Sequence, residues 1–184
     1  MPMRSLACAL ALAFATPALA VEMTITVEGE ANGAITIDLL EETAPNHVAQ
    51  IRTLAEQGAY DNVVFHRVID GFMAQTGDVE FGKLGADMRM AGRGGSDLPN
   101  LSAEFSDIPY ERGTVGMARA QNPDSANSQF FIMFEPGPFL NGQYTVIGQV
   151  TDGLDVLDAI KRGTGSNGAV VGRPDVMTTV TISR

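Results

Sequence analysis

The chain has 184 residues, 45% of them hydrophobic and 18% charged, enough for one well-filled core and short for two domains. Its 22 acidic residues against 12 basic ones give a net charge of −10, a balance that argues against nucleic acid or anionic membrane surfaces as partners. One cysteine, Cys8, leaves no internal disulfide and no thiolate metal site to expect.

At the N-terminus Arg4 supplies a positive start, Leu6 to Ala15 an apolar centre and Ala18-Leu19-Ala20 a small-x-small cleavage site, so residues 1–20 read as an export signal. A membrane anchor needs about 20 apolar residues to cross the hydrocarbon, and this run is shorter. Cys8 stands near the start of the apolar stretch rather than at its end, which argues against a lipid-anchored precursor. Cleavage removes Arg4 and no acid, so residues 21–184 carry 11 bases against 22 acids and no cysteine nucleophile. The short signal and the terminal Thr-Ile-Ser-Arg, which is no endoplasmic-reticulum retention tail, favour a bacterial periplasm over secretion into the medium.

The expected mature chain opens with alternation, Met23-Thr24-Ile25-Thr26-Val27, then Asn32-Gly33, then Ile35-Thr36-Ile37-Asp38-Leu39, the pattern of a β-hairpin. Thr43 offers a helix cap, Pro45 suits a first turn, and Val48, Ile51 and Ala55 recur at helical spacing until Gly58, which predicts a helix over Pro45 to Gln57. His47 falls on its first turn. With no second histidine or cysteine at ligand spacing, it is expected on the surface.

Phe65 to Asp78 reads Phe-His-Arg-Val-Ile-Asp-Gly-Phe-Met-Ala-Gln-Thr-Gly-Asp, two apolar runs around Asp70-Gly71, a dipeptide that suits the positive φ angles of a tight hairpin turn. Strict alternation puts Val63, Phe65, Arg67 and Ile69 on one face, so Arg67 sits among apolar neighbours where a permanent charge is costly to desolvate. It is either a structural arginine that keeps its head in water or a fixed guanidinium on the floor of an apolar pocket. Met73 and Gln75 share a face on the second strand, and Phe72 falls on the opposite one. His66, the only other histidine, lacks a Gly-x-Ser-x-Gly or comparable nucleophile and reads as a structural residue packed beside Arg67.

Val79 to Ala103 is polar and glycine-rich. Gly92-Arg93-Gly94-Gly95 lacks the Lys-Ser/Thr and helix start of a phosphate cradle, so a surface-crossing loop is the better reading. Strands are expected at Gly113 to Arg119, Ser128 to Phe134, Tyr144 to Val150 and Val176 to Ile182, with a short helix from Leu154 to Lys161. In the Ser128 to Phe134 strand both faces are apolar, Phe130, Ile132 and Phe134 on one and Phe131 and Met133 on the other. Either one face fills a core while the other lines a site, or a loop buries the second face. Many short strands and two short helices predict a mainly β chain, a closed antiparallel sheet with helices over its ends.

The run Phe65-His66-Arg67-Val68-Ile69-x-Gly71-Phe72-Met73-x-Gln75-x-Gly77-Asp78, with Ser128-Gln129-Phe130-Phe131-Ile132 as a second stretch, resembles the signature of the cyclophilins, peptidyl-prolyl cis/trans isomerases. The likeness covers essentially the whole chain after the first twenty or so residues, so residues 21–184 are expected to form one cyclophilin-type isomerase domain. It implies an eight-stranded closed barrel capped by two helices, no cofactor or metal, a monomer, and proline-containing unfolded or extended polypeptides as partners. By the same resemblance Arg67 matches the catalytic arginine and Gln75 a polar residue that can orient it or accept substrate N–H groups. Phe72, Met73, Phe131 and Leu140 match the residues that hold a proline ring. Gln129 matches a second polar group, and Ala118, Arg119 and Ala120 an edge segment that pairs with substrate backbone. Phe139 stands where many members have tryptophan, Tyr144 where many have histidine, and Arg119 where asparagine is usual. The first departure removes an indole donor and implies weaker cyclosporin-type inhibition. More residues separate Asp78 from Gly92 than in compact members. A proline-peptide binding or chaperone module with little turnover is the alternative function.

Overall fold

The alternation of Met23, Ile25 and Val27 with Thr24 and Thr26 becomes a strand, β1 (Val21–Glu28), with its odd positions buried and its even ones turned outward. It pairs antiparallel with β2 (Gly33–Leu39) in a register that sets Ile25 opposite Ile35 and Met23 opposite Ile37, the kind of cross-strand pair that stabilises a sheet. The computed structural model describes residues 21–183; the expected export signal at 1–20 lies outside the described residues.

Seven further strands follow: β3 (Val63–Val64), β4 (Arg67–Ile69), β5 (Met73–Thr76), β6 (Thr114–Met117), β7 (Phe130–Met133), β8 (Val146–Asp152) and β9 (Val176–Ser183). Their hydrogen-bonded order is β3-β9-β1-β2-β8-β6-β7-β5-β4. The sheet is an open, curled half-barrel of nine strands, not the closed barrel of eight expected from the sequence. The reason lies at Phe65 and His66. Up to Val64 the chain pairs with β9, but from His66 it bonds to a different segment: Val68 N–H donates to the Gly168 carbonyl (2.7 Å), and Val170 N–H donates to the His66 carbonyl (3.1 Å). This change of partner splits one strand into β3 and β4, which become the two end strands of the sheet.

The same break shifts the side-chain alternation. Val63 and Phe65 belong to the large core, and so does Val68, whereas Ile69 packs against a separate small cluster. Arg67 therefore does not share a face with Phe65, and the guanidinium escapes the core by the slip in phase.

Helix α1 (Pro45–Glu56) packs on β9, and α2 (Leu154–Ala159) packs on β2. The cap of α1 is not Thr43: the N-cap residue is Ala44, with no side-chain hydrogen bond of its own. Glu104 supplies the acceptors instead, reaching in from the long loop to take the Asn46 N–H (3.2 Å) and the His47 N–H (3.1 Å), where a carboxylate also complements the helix dipole. His47 is fully buried rather than on the surface. Its Nδ1 donates to Glu104 Oε2 at 2.6 Å, as it must, because a carboxylate only accepts. α2 ends before the expected Lys161, whose N–H turns to the buried Asp175 carboxylate at 2.6 Å.

The double apolar character of β7 is used on both sides. Phe130 and Ile132 fill the large core within the curl, while Phe131 and Met133 join Met73, Tyr110, Leu140 and Val146 in the small cluster. Two apolar layers thus lie back to back across one strand, and the smaller one carries the cleft.

Candidate active site

The hairpin that presents Arg67 turns on one glycine. Gly71 has φ +66°, whereas Asp70 does not take a positive φ. Phe72 N–H closes the turn onto the Ile69 carbonyl at 3.1 Å. A single positive angle at the third position defines a type II turn, not the paired positive angles that the dipeptide suggested. Phe72 therefore belongs to the turn and escapes strand alternation; it lines the same cleft as Met73, against the expectation that it would face away.

Arg67 lies directly opposite Gln75 in the β4–β5 ladder. Its Nε donates to the Asn167 carbonyl (2.9 Å), and its Nη1 donates to Gln75 Oε1 (3.1 Å), with Met73 Sδ at 3.8 Å. Gln75 passes the chain on, its Nε2 donating to Gln129 Oε1 (2.9 Å), and Gln129 Nε2 donates to the Gly94 carbonyl (2.8 Å). Each amide has its oxygen fixed by a donor and its nitrogen by an acceptor, so the guanidinium plane is held without a carboxylate. Burial lowers the pKa of Arg67, and Tyr144 partly offsets this; the group starts so far above neutrality that it stays charged.

Around this charge runs a cleft of about 410 Å³, lined by Arg67, Phe72, Met73, Gln75, Ala118, Arg119, Phe131, Phe139, Leu140, Gln143 and Tyr144. Ten of the twelve residues singled out from the sequence meet here. Ala120 and Gln129 line an adjoining cavity of about 280 Å³, which shares Gln75, Ala118 and Arg119 with the first. Phe139 leans on Phe72 at 5.4 Å between ring centroids and is 62% exposed. Phe131 meets the Tyr144 ring edge-on at 5.9 Å, and the Arg119 guanidinium caps Tyr144 at 4.3 Å. From behind, Tyr110 stacks on Phe131 at 5.7 Å. Gly116 makes that stack fit, because a β-carbon there would run into both the Tyr110 and Phe131 rings.

A profile described as "Cyclophilin type peptidyl-prolyl cis-trans isomerase/CLD" matches residues 22–182. The chain belongs to the cyclophilin family. A "Probable peptidyl-prolyl cis-trans isomerase" of Brucella suis biovar 1 (strain 1330) is 57% identical over 153 residues, 82% of this chain and 78% of that one. "Peptidyl-prolyl cis-trans isomerase B" of Bacillus subtilis (strain 168) is 38% identical over 135 residues, 73% and 87% of the two chains. Among solved structures, a Cryptosporidium parvum cyclophilin crystallised in the presence of the dipeptide Ala-Pro superposes with TM-score 0.72 at 25% identity, covering 89% of this chain and 99% of that one.

Two features of this cyclophilin were not singled out from its sequence. Gln143 lines the cleft; its Nε2 donates to the Phe139 carbonyl (3.0 Å), and its own carbonyl accepts from Arg119 Nη2 (2.9 Å). Its position between Leu140 and Tyr144 was the only available signal. Tyr110 was missed because it approaches from a different segment, and burial raises its pKa far above the ordinary value. His66 behaves as expected for a packed residue: burial lowers its pKa, and Asp78 and the Val64 main chain partly offset this.

Proposed function

We propose that the Arg67 cleft catalyses rotation about X-Pro peptide bonds by a non-covalent, arginine-assisted route. The chain is an isomerase by family, and the observation that carries the mechanism is a guanidinium at the edge of an apolar cleft, oriented by two acceptors and free of any ion pair among the described residues. Rotation about a peptide C–N bond faces about 18–20 kcal/mol because resonance is lost as the amide twists. The twisted nitrogen regains its lone pair. A fixed donor beside that nitrogen binds the twisted form better than either planar form, and so lowers the barrier.

In this reading Phe72, Met73, Phe131 and Leu140 hold the proline ring, and the Gln75–Gln129 pair keeps Arg67 aimed. Ala118, Arg119 and Ala120 offer an edge for extended substrate; the Arg119 main-chain N–H makes no hydrogen bond among the described residues. Catalysis needs no proton transfer and no cofactor. The dipeptide Ala-Pro, present with the Cryptosporidium parvum relative, has the chemistry such a pocket would take. The substrates we infer are unfolded or extended proline-containing chains, met by a monomer exported to the periplasm through residues 1–20.

An isomerisation assay on a short X-Pro peptide tests the assignment, and Arg67→Ala should lower kcat/KM by roughly 10²–10³, the scale of one lost transition-state donor. Unchanged turnover in that variant sinks the mechanism. Tight binding of proline peptides with no turnover in the parent protein would leave only a binding module.

A further inference from the structure

The cleft does not end at Arg67. Beyond it a cavity of about 210 Å³ shares Arg67 and Gln75 with the cleft, and Gln75, Gly92, Arg93 and Gly94 line the adjoining cavity on the Gln129 side. A third space of about 320 Å³ continues past His66, Arg93 and Asn167 along the inserted loop. These form one groove, and no aspartate or glutamate is among its lining residues.

That is unusual in a chain with 22 acids and 12 bases. Elsewhere the cations are spent: Arg52, Arg112, Lys161 and Arg162 each meet a carboxylate, and Lys83 donates to two main-chain carbonyls; Arg89, which lines the third space, is neutralised by Asp87. Arg67, Arg93 and Arg119 form no ion pair among the described residues, and all three line the groove. Arg119 makes its hydrogen bonds only to main-chain carbonyls, which leaves its charge uncompensated, and Arg93 is exposed on the inserted loop. Apart from Lys83, the only other described cation without an ion pair is Arg173, which lies elsewhere, in a hollow with Glu28, Glu30 and Lys161.

We propose that this cationic groove selects polypeptide segments carrying aspartate or glutamate close to the X-Pro bond, with Arg93 and Arg119 as the residues that set the preference. The proposal rests on the isomerase reading of the Arg67 cleft, since the groove is continuous with it. A chain of net charge −10 repels acidic segments at long range. Within a screening length of roughly 8–10 Å, though, the three unneutralised guanidinium groups outnumber the one carboxylate behind the lining, Asp78, which accepts from Gly92 N–H and Gly94 N–H, and they reverse that sign along the groove.

The experiment measures kcat/KM, without a coupling protease, for a set of X-Pro peptides. Glutamate or lysine is placed one, two or three positions to either side of the bond, at about 0.01 M and about 1 M salt, where the screening length is roughly 30 Å and 3 Å. The best-placed glutamate peptide should exceed its lysine counterpart by about three- to tenfold at low salt and by less than about twofold at high salt. Arg93→Glu should lower that ratio, and Arg93→Glu with Arg119→Gln should lower it further or invert it. Arg173→Glu makes the same change in net charge outside the groove and should leave the ratio unchanged.

Equal turnover of glutamate and lysine peptides at low salt would overturn the selectivity while leaving the isomerase reading intact. A ratio that drops as far with Arg173→Glu as with Arg93→Glu would also overturn it. If the parent protein turns over no peptide, the isomerase reading fails; dissociation constants of the same labelled peptides, measured by fluorescence anisotropy, then decide the groove, and equal affinities would refute it.

Discussion

The Phe131 pocket and the Val79–Ala103 loop are built by opposite means. The pocket is held by apolar faces: Phe131 between Tyr110 and Tyr144, Phe72 against Phe139, Met73 below. The loop has no strand or helix, and its order comes from polar side chains, one fully buried and two half-buried, that collect main-chain groups. Asp78, fully buried, accepts from Glu80 N–H and Phe81 N–H at one end of the insertion and from Gly92 N–H and Gly94 N–H at the other. Asn127 takes Ser96 N–H and Oγ–H and donates to the Leu98 carbonyl. Glu104 ties the loop's far end to α1. A segment without apolar periodicity can still be well ordered if a few carboxylates and amides satisfy its backbone, because an unpaired buried N–H is costly.

The sharpest way to break this contrast is Asp78→Ala, which strands four donors at once and should destabilise the fold by about 3–5 kcal/mol in urea unfolding. The loop should become the first site of proteolysis. An unfolding free energy within error of the parent's would mean that the loop is held by something else.

Next comes Glu104. Burial by itself would raise its pKa, but the hydrogen bonds from His47 and Asn46 outweigh burial and leave it below the ordinary 4.5. A carboxyl group whose folded value is depressed stabilises the fold above its unfolded value, and that contribution disappears as pH falls through the folded value. Glu104→Gln should thus cost about 2–3 kcal/mol at neutral pH, from loss of charge-assisted bonds. It should also flatten the stability profile below about pH 4.5 relative to the parent. Parallel profiles for the two proteins would refute the linkage.

On the pocket side, Gly116→Ala pushes a methyl group between Tyr110 and Phe131. Overpacking of this kind costs about 1–3 kcal/mol, and the displaced ring should cut kcat/KM by about tenfold or more while the loop keeps its protease resistance. Smallest of the set is Phe139→Trp, at the exposed rim: about one order of magnitude, roughly 1.4 kcal/mol, in tighter cyclosporin-type inhibition, with kcat/KM changing less. Equal inhibition constants would shift attention to Arg119.

How much of this was legible in the sequence follows the same division. The β1–β2 hairpin, both helices and the two-faced β7 rest on local patterns, and local patterns can be read, whereas the residues gathered around Arg67 were implied by the cyclophilin resemblance. What escaped reading depended on partners far away in the chain. His47 looked like a surface residue because Glu104, the group that receives it, lies 57 residues further on. Phe72 was assigned the wrong face because a type II turn replaces the strand at that point. The eight-strand expectation failed at Phe65–His66, where the outer hydrogen-bond partner changes to residues 168–170 and the alternation slips with it.

The chain of amides behind Arg67 ends on Gly94, and this residue serves two masters. Its N–H is held by the Asp78 carboxylate, and its carbonyl accepts from Gln129. The loop's main anchor and the arginine's orientation are therefore joined through a single residue, three hydrogen bonds from the guanidinium. Lengthening or recomposing the loop between Asp78 and Gly92 acts on that residue first. The insertion is thus connected to the Arg67 guanidinium by an unbroken run of hydrogen bonds from Asp78 through Gly94, Gln129 and Gln75.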